Sequence, residues 1–156
     1  MDTDEIARVL GSDPFTRNIV CKIFDGVHAA DQLHNSLDRP MAIVVNTNPS
    51  WKPGRHWVAI YAPKRNEPWE YFDSYGEPPN ETLIKTFLKK KNYIFNKKSL
   101  QSPSSSVCGH YCIYYLVHRA RGYTMDMITN RFTKDETRND DDVYAFVQDN
   151  FASLMD

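Results

Sequence analysis

Residues 56–74 read His56-Trp57-Val58-Ala59-Ile60-Tyr61-Ala62-Pro63-Lys64-Arg65-Asn66-Glu67-Pro68-Trp69-Glu70-Tyr71-Phe72-Asp73-Ser74. Two runs rich in β-branched and aromatic residues, His56 to Ala62 and Trp69 to Ser74, flank a connection whose prolines cannot extend either ladder, so the segment predicts a β-hairpin. A turn centred between Lys64 and Arg65 sets His56 opposite Asp73. Directly opposed side chains on one face of a hairpin have Cβ atoms about 4.5–5.5 Å apart, within reach of a hydrogen bond between an imidazole and a carboxylate. A carboxylate at one ring nitrogen fixes the tautomer and favours the imidazolium, as a general base in a nucleophilic mechanism requires. A register slip of two residues would break this direct pairing.

Upstream of the hairpin, Ile19 to Phe24 and Met41 to Val45 read as two strands, with a loop or short helix around Ala29 to Leu37. Asn46 to Gly54, holding Pro49 and Pro53, reads as a loop. At the start of the chain, Asp2 and Glu5 form a capping-box pattern before Ile6, Val9 and Leu10, predicting a short helix that ends near Gly11. Downstream, Asn80 is placed to cap a helix from Glu81 to Lys91 with Leu83, Ile84, Phe87 and Leu88 on its apolar face. A strand at Tyr93 to Phe95, extending towards Leu100, leads into the turn-rich loop Gln101 to Ser106. From Val107 to Val117 the chain is apolar on all sides and closes with His118, Arg119, Arg121 and Gly122, the pattern of a buried helix with a glycine stop. Two further helices, Met125 to Phe132 and Asp141 to Leu154, complete an α+β fold with a central, mainly antiparallel mixed sheet flanked by helices.

With 156 residues, 41% hydrophobic and 13% aromatic, the chain has the material for one domain spanning residues 1–156. Its longest apolar run, the seven residues Tyr111 to Val117, is far short of the roughly 20 needed to cross a bilayer. The opening Met-Asp-Thr-Asp-Glu lacks the character of a secretory signal, and three cysteines do not suggest a disulfide framework, so an intracellular, reducing setting is expected. The net charge of -1 gives no global attraction to nucleic acid or membrane. It conceals six lysines and no acid between Lys85 and Lys98, against seven acids and one arginine between Asp135 and Asp156. Both stretches read first as solvated helix faces, while Lys89, Lys90, Lys91, Lys97 and Lys98 remain a candidate phosphate contact.

The candidate nucleophile is Cys108, at the start of the buried helix, where the macrodipole and unpaired N–H groups favour a thiolate. Attack on an amide creates an oxyanion, for which the Cys108 backbone N–H and the Gln101 side-chain amide are the candidate donors, while Gly109 leaves the backbone open to a substrate carbonyl. A zinc site built on Cys108 and Cys112 with His110 or His118 is set aside, because structural zinc usually takes close-spaced ligand pairs from two places and only one pair exists. Cys112 reads as core.

Taken together, the runs Gly54 to Tyr61, Glu70 to Gly76, Leu100-Gln101 and Val107 to Cys112 resemble the adenain family of adenovirus-type cysteine proteases. The likeness is nearest to the proteases of large self-synthesising DNA transposons and related small DNA viruses, distant relatives of the proteases that process SUMO and other ubiquitin-like proteins. The seventeen-residue step from His56 to Asp73 and the seven-residue step from Gln101 to Cys108 carry it. The resemblance implies His56 as general base, Asp73 as its orienting carboxylate, Cys108 as nucleophile, Gln101 as oxyanion donor and Trp57 as an aromatic shield over the dyad, although a tryptophan here also fits a purely core position. It implies a maturation endopeptidase acting on virion or element-encoded capsid precursors at glycine or other small residues. A protease of ubiquitin-like precursors is the runner-up, and a catalytically dead nucleic-acid-binding domain the third reading. No metal is expected. No cofactor is expected; the resemblance to the adenovirus enzymes leaves a peptide or DNA activator open, although no cysteine stands at a clearly corresponding position to anchor the peptide and Cys21 lies far upstream. The expected partner is a polypeptide substrate, with the lysine-rich segment a candidate DNA contact, no membrane partner and a monomeric chain; the resemblance implies the host nucleus or the virion.

Overall fold

In the computed structural model the described residues are 1–17, 24–33, 39–51 and 56–155. The first helix, α1 (Thr3–Ser12), starts on a reciprocal capping box in which Asp2 accepts from the Glu5 N–H and Glu5 accepts from the Asp2 N–H, both at 2.9 Å. Ile6, Val9 and Leu10 are fully buried along one face, each contributing about 1.5–3 kcal/mol by leaving water. A single turn, α2 (Pro14–Arg17), follows and is tied to the body of the protein by Asp13, which pairs with Arg121 at 2.8 Å.

Five strands form one sheet in chain order: β1 (Phe24–Ala29), β2 (Met41–Asn46), β3 (Trp57–Ala62), β4 (Trp69–Phe72) and β5 (Tyr93–Phe95). The two central pairings, β2 with β3 and β3 with β4, are antiparallel, whereas the outer pairings are parallel. The first strand lies downstream of the expected Ile19 to Phe24, of which all but Phe24 falls outside the described residues. Cys21, Gly54 and Arg55 also fall outside them. A short 3-10 turn at Ala30–Gln32 meets part of the expected Ala29 to Leu37 element.

Every residue of β2 is buried, so the sheet is covered on both faces and its period of two divides the core. Ala42, Val44, Ala59, Tyr61 and Phe72 pack with the long buried helix α4 (Cys108–Ala120) and with α1. Ile43, Val45, Val58, Ile60 and Tyr71 pack on the other side with Ile84, Phe87 and Leu88 of α3 (Thr82–Leu88). The cap of α3 is the Glu81 side chain, not Asn80, and the helix stops before Lys89–Lys91; Leu83 is exposed rather than on the apolar face. After α4 come α5 (Met125–Thr129) and α6 (Glu136–Phe151). The last helix starts five residues before the expected Asp141, because Asp135 caps it by accepting from the Arg138 N–H. Val143, Val147 and Phe151 are its buried stripe, and Asn139 and Asp140 are buried as well. None of the described helices is long and apolar enough to cross a membrane.

Candidate active site at the head of the buried helix

The strand ladder brings His56 and Asp73 together, but not in the expected register. Ala59 faces Phe72, Ile60 faces Tyr71 and Tyr61 faces Glu70, a slip of two residues that carries Tyr75, not Asp73, to the level of His56. The four-residue strand β4 ends at Phe72, and the turn beyond it lets Asp73 reach across diagonally. His56 Nε2 lies 2.8 Å from Asp73 Oδ1, with both side chains largely buried, while the Tyr75 ring stacks on the imidazole at a centroid distance of 5.0 Å. The same carboxylate oxygen accepts from the Tyr75 N–H at 2.9 Å.

Asp73 is held through its backbone by a residue that carried no sequence signal. The buried Asn96 accepts from the Asp73 N–H at 3.0 Å and donates to the Asp73 carbonyl at 2.6 Å, so one amide clamps both backbone groups. The following turn closes on Gly76, whose φ of +72° and approach to the Lys98 backbone leave no room for a Cβ, which would stand 2.6 Å from the Lys98 carbonyl.

Cys108 is the first residue of α4 and has the last unused face of the imidazole beside it. With Nε2 engaged by Asp73, Nδ1 is the imidazole nitrogen left to act on Cys108, which lines the same cleft. Burial pulls the imidazole down, but the hydrogen bonds to Asp73 and Cys108 and their negative charges outweigh it and raise its pKa to about 9. Burial likewise pushes the Cys108 thiol up, yet the His56 hydrogen bond, the backbone N–H groups of Trp57 and Gly109 and the imidazolium charge bring it below its ordinary value. These shifts favour an imidazolium–thiolate pair. Cys112, one turn further and fully buried, has its thiol pushed well above the ordinary range by burial and then by the neighbouring Cys108 and Asp73. Both thiols are free.

Gln101 is 1% exposed and sits on the turn through Ser74: the Ser74 carbonyl accepts the N–H groups of Leu100 and Gln101, and the Ser74 hydroxyl donates to Gln101 Oε1 at 2.5 Å. The amide NH2 therefore faces the other way, towards Ser105, whose carbonyl and hydroxyl accept at 3.2 and 3.1 Å. His56, Trp57, Asp73, Gln101, Ser105 and Cys108 all line one cleft of about 990 Å³.

Two expectations need correction. Gly109 does not open the backbone to a substrate: it is buried, and an added Cβ would lie 3.2 Å from Met1 Sδ and 3.3 Å from Ile6 Cδ1, so the glycine admits the N-terminal segment against the head of α4. The acids after Asp135 are not uniformly a solvated face, because Asp140 is 8% exposed and accepts from the Tyr111 hydroxyl at 2.8 Å and from the Ser102 N–H at 3.3 Å. Trp57 lines the cleft and also packs against the α4 side of the core.

The lysines stand apart from the cleft. Lys89 and Lys90 are exposed beyond α3, Lys97 lies over the Phe95 ring and Lys98 donates to Asn130 Oδ1 at 3.0 Å. Lys91 donates to the Phe87 carbonyl and lies over the Phe87 ring at 4.1 Å. Among the described residues no group of three or more His, Cys, Asp and Glu is placed to hold a metal ion. His110, weighed as a zinc ligand, is buried, and its pKa is pulled down to about 4, first by that burial.

No family model matches the chain. In sequence it is 29% identical over 151 residues to the cysteine protease of African swine fever virus from a tick isolate from Malawi, covering 85% of this chain and 52% of that protein. The same protein of other isolates is named a SUMO-1 cysteine protease. A thiol protease of Acanthamoeba polyphaga mimivirus is 28% identical over 126 residues, covering 73% of this chain and 41% of that protein. The chain thus spans about half the length or less of these curated relatives. In structure, the Chlamydia trachomatis effector Cdu1, solved bound to ubiquitin, superposes with a TM-score of 0.62 at 16% identity over all of this chain and 94% of that one. By sequence the chain is a relative of viral cysteine proteases, and its fold is that of Cdu1.

Proposed function

We propose that the chain is a cysteine peptidase domain that cleaves a polypeptide through a thioester on Cys108. The observation that carries this reading is the His56–Asp73 hydrogen bond on the same cleft as Cys108, which heads α4, with the thiol lowered and the imidazole raised in pKa. The Cys108 thiolate attacks the scissile carbonyl and forms the C–S bond. The oxyanion that results is met by the Cys108 N–H, one of the helix donors without an intrahelical acceptor, and by the Gln101 amide. As the tetrahedral species collapses, the C–N bond breaks and His56 gives its Nδ1 proton to the leaving amine. Neutral His56 then takes a proton from water as the water attacks the thioester, and the thiolate returns. Asp73, bonded to Nε2, holds the ring in the tautomer that these transfers need.

The substrate reading we favour is a virion or element-encoded capsid precursor, cleaved beside glycine or another small residue. Its support is the viral origin of the relatives, together with the adenovirus-type spacing of His56, Asp73, Gln101 and Cys108. A second reading, hydrolysis after the Gly-Gly terminus of a ubiquitin-like protein, has its own support in the SUMO-1 protease name of one relative and the ubiquitin complex of a structural neighbour. Both use the same chemistry.

A vinyl-type, thiol-directed peptide probe should label the wild-type chain at Cys108 and leave Cys108→Ala unlabelled. Labelling at Cys21 or Cys112 instead would refute the nucleophile. Capsid-precursor peptides should then be turned over faster than ubiquitin-like precursors; the reverse order would transfer the assignment to the second reading. Unchanged biological function in Cys108→Ala, with binding to DNA that falls steeply with salt, would replace both with a non-catalytic DNA-binding role.

A further inference from the structure

We infer that Ser74 is the positioning residue that makes Gln101 an oxyanion donor. The inference rests on the peptidase reading of Cys108 and Gln101 and assigns a role that this reading leaves open. A glutamine amide presents two chemically opposite ends of nearly equal shape, and only its NH2 end stabilises an anion; turned over, its carbonyl oxygen would repel the oxyanion. The protein must therefore select one of two orientations related by a half-turn about the last side-chain bond.

Ser74 shares that selection with the Ser105 carbonyl, which can only accept and so takes the NH2 end. Ser74 is 1% exposed and its hydroxyl donates to Gln101 Oε1 at 2.5 Å, which gives the carbonyl end of the amide a buried partner once the Ser105 carbonyl has taken the NH2 end at 3.2 Å. The Ser74 carbonyl takes the N–H groups of Leu100 and Gln101 at 2.8 and 3.1 Å, which fixes the backbone from which the glutamine side chain departs. With Oε1 held on the Ser74 side, Nε2 is directed to the Ser105 end of the loop that delivers Cys108. The three consecutive residues after β4 thus divide the work: Asp73 holds the His56 tautomer, Ser74 the Gln101 amide and Tyr75 the face of the imidazole.

Alkylation of Cys108 by iodoacetamide displaces iodide and builds no oxyanion, whereas peptide hydrolysis builds two, so the pair of reactions separates amide orientation from general integrity of the site. Ser74→Ala is expected to lower kcat on a peptide substrate by roughly 10-fold to 100-fold, approaching the loss of one oxyanion donor, with KM and the alkylation rate within about twofold of wild type. Ser74→Cys, which keeps the volume but donates weakly, should share that loss, and Ser74→Thr, which keeps the hydroxyl, should restore most of kcat. In the Gln101→Ala background, Ser74→Ala should cost nothing more. If Ser74→Ala and Ser74→Cys retain kcat, if alkylation falls in parallel with turnover, or if the two losses multiply in the double variant, the assignment of Ser74 is wrong. Those outcomes leave the peptidase reading intact; that reading fails if the wild-type chain does not hydrolyse peptides or if hydrolysis survives Cys108→Ala.

Discussion

The His56 imidazole and the Cys108 thiol move in opposite directions, and the direction of each sets one side of a pH profile. The thiolate forms as pH rises through the lowered Cys108 pKa, and the imidazolium is lost as pH rises through about 9. Alkylation of Cys108, which needs only the thiolate, should therefore rise with pH and level off. Peptide hydrolysis, which also needs a proton on His56, should rise and then fall with an apparent pKa near 9. A hydrolysis rate that stays flat to pH 10 would show that His56 is not the proton donor. The same shift bears on stability: a folded pKa raised above the unfolded value of about 6.5 stabilises the native state fully below pH 6.5, and this contribution disappears as pH rises towards 9. His56→Gln should remove that part of the pH dependence of thermal unfolding. Asp73→Asn keeps the size of the side chain but presents the His56 ring with the wrong partner, and it should lower kcat on the order of 10²–10⁴-fold with the fold intact by circular dichroism. That His56, Asp73, Gln101 and Cys108 gather at one cleft was legible from chemistry and spacing in the chain. Ser74, Tyr75 and Asn96 were not, because a serine, a tyrosine or an asparagine acquires such a role only through the neighbour that folding sets against it.

At the scale of elements, the hairpin was legible from its composition, but its register was not. Register depends on how six connecting residues are divided between loop and ladder, and the alternation of buried residues tolerates a shift of two because it returns each side chain to the same face. The His56–Asp73 contact survived that shift because Asp73 lies beyond the last ladder residue, where the chain is free to turn. The acidic tail is a solvated face at Asp135, Asp141, Asp142 and Asp149, but charge composition does not reveal that Asn139 and Asp140 face inward at the first turns of α6. Asn139 is fully buried, donates to the carbonyls of Leu100 and Thr133 at 3.1 and 2.8 Å and accepts from the Thr133 N–H at 2.9 Å. Because Leu100 precedes Gln101, α6 in effect fastens the loop segment that carries the oxyanion donor. Asn139→Ala strips partners from buried backbone groups and should cost about 3 kcal/mol in urea unfolding. It should also lower turnover at temperatures where the variant remains folded; normal kcat there would mean that α6 supports the fold but not the site.

Across the whole molecule, the sheet and the nucleophile helix are joined at both ends, and the two junctions differ in kind. At the head of α4 the junction is the site itself. Near its C-terminus, Glu70 of β4, 4% exposed, receives Arg119 through two hydrogen bonds of 2.8 Å and also accepts from the Tyr115 hydroxyl, while the guanidinium lies over the Tyr61 ring at 4.6 Å. Removing one partner of such a buried pair strands the other charge in a medium that solvates it poorly, whereas removing both can be nearly neutral. Arg119→Met should therefore destabilise the protein by about 3–5 kcal/mol, lowering Tm by about 10 °C or more. Adding Glu70→Gln should recover a large part of that loss. Eleven residues separate Arg119 from Cys108 along the helix, roughly 16 Å at its usual rise. At low temperature, with each variant folded, kcat per molecule should then match wild type. A fall in kcat that follows the loss of Tm would mean that the distal junction transmits strain along α4 to the thiolate, and that the two ends of the helix do not act independently.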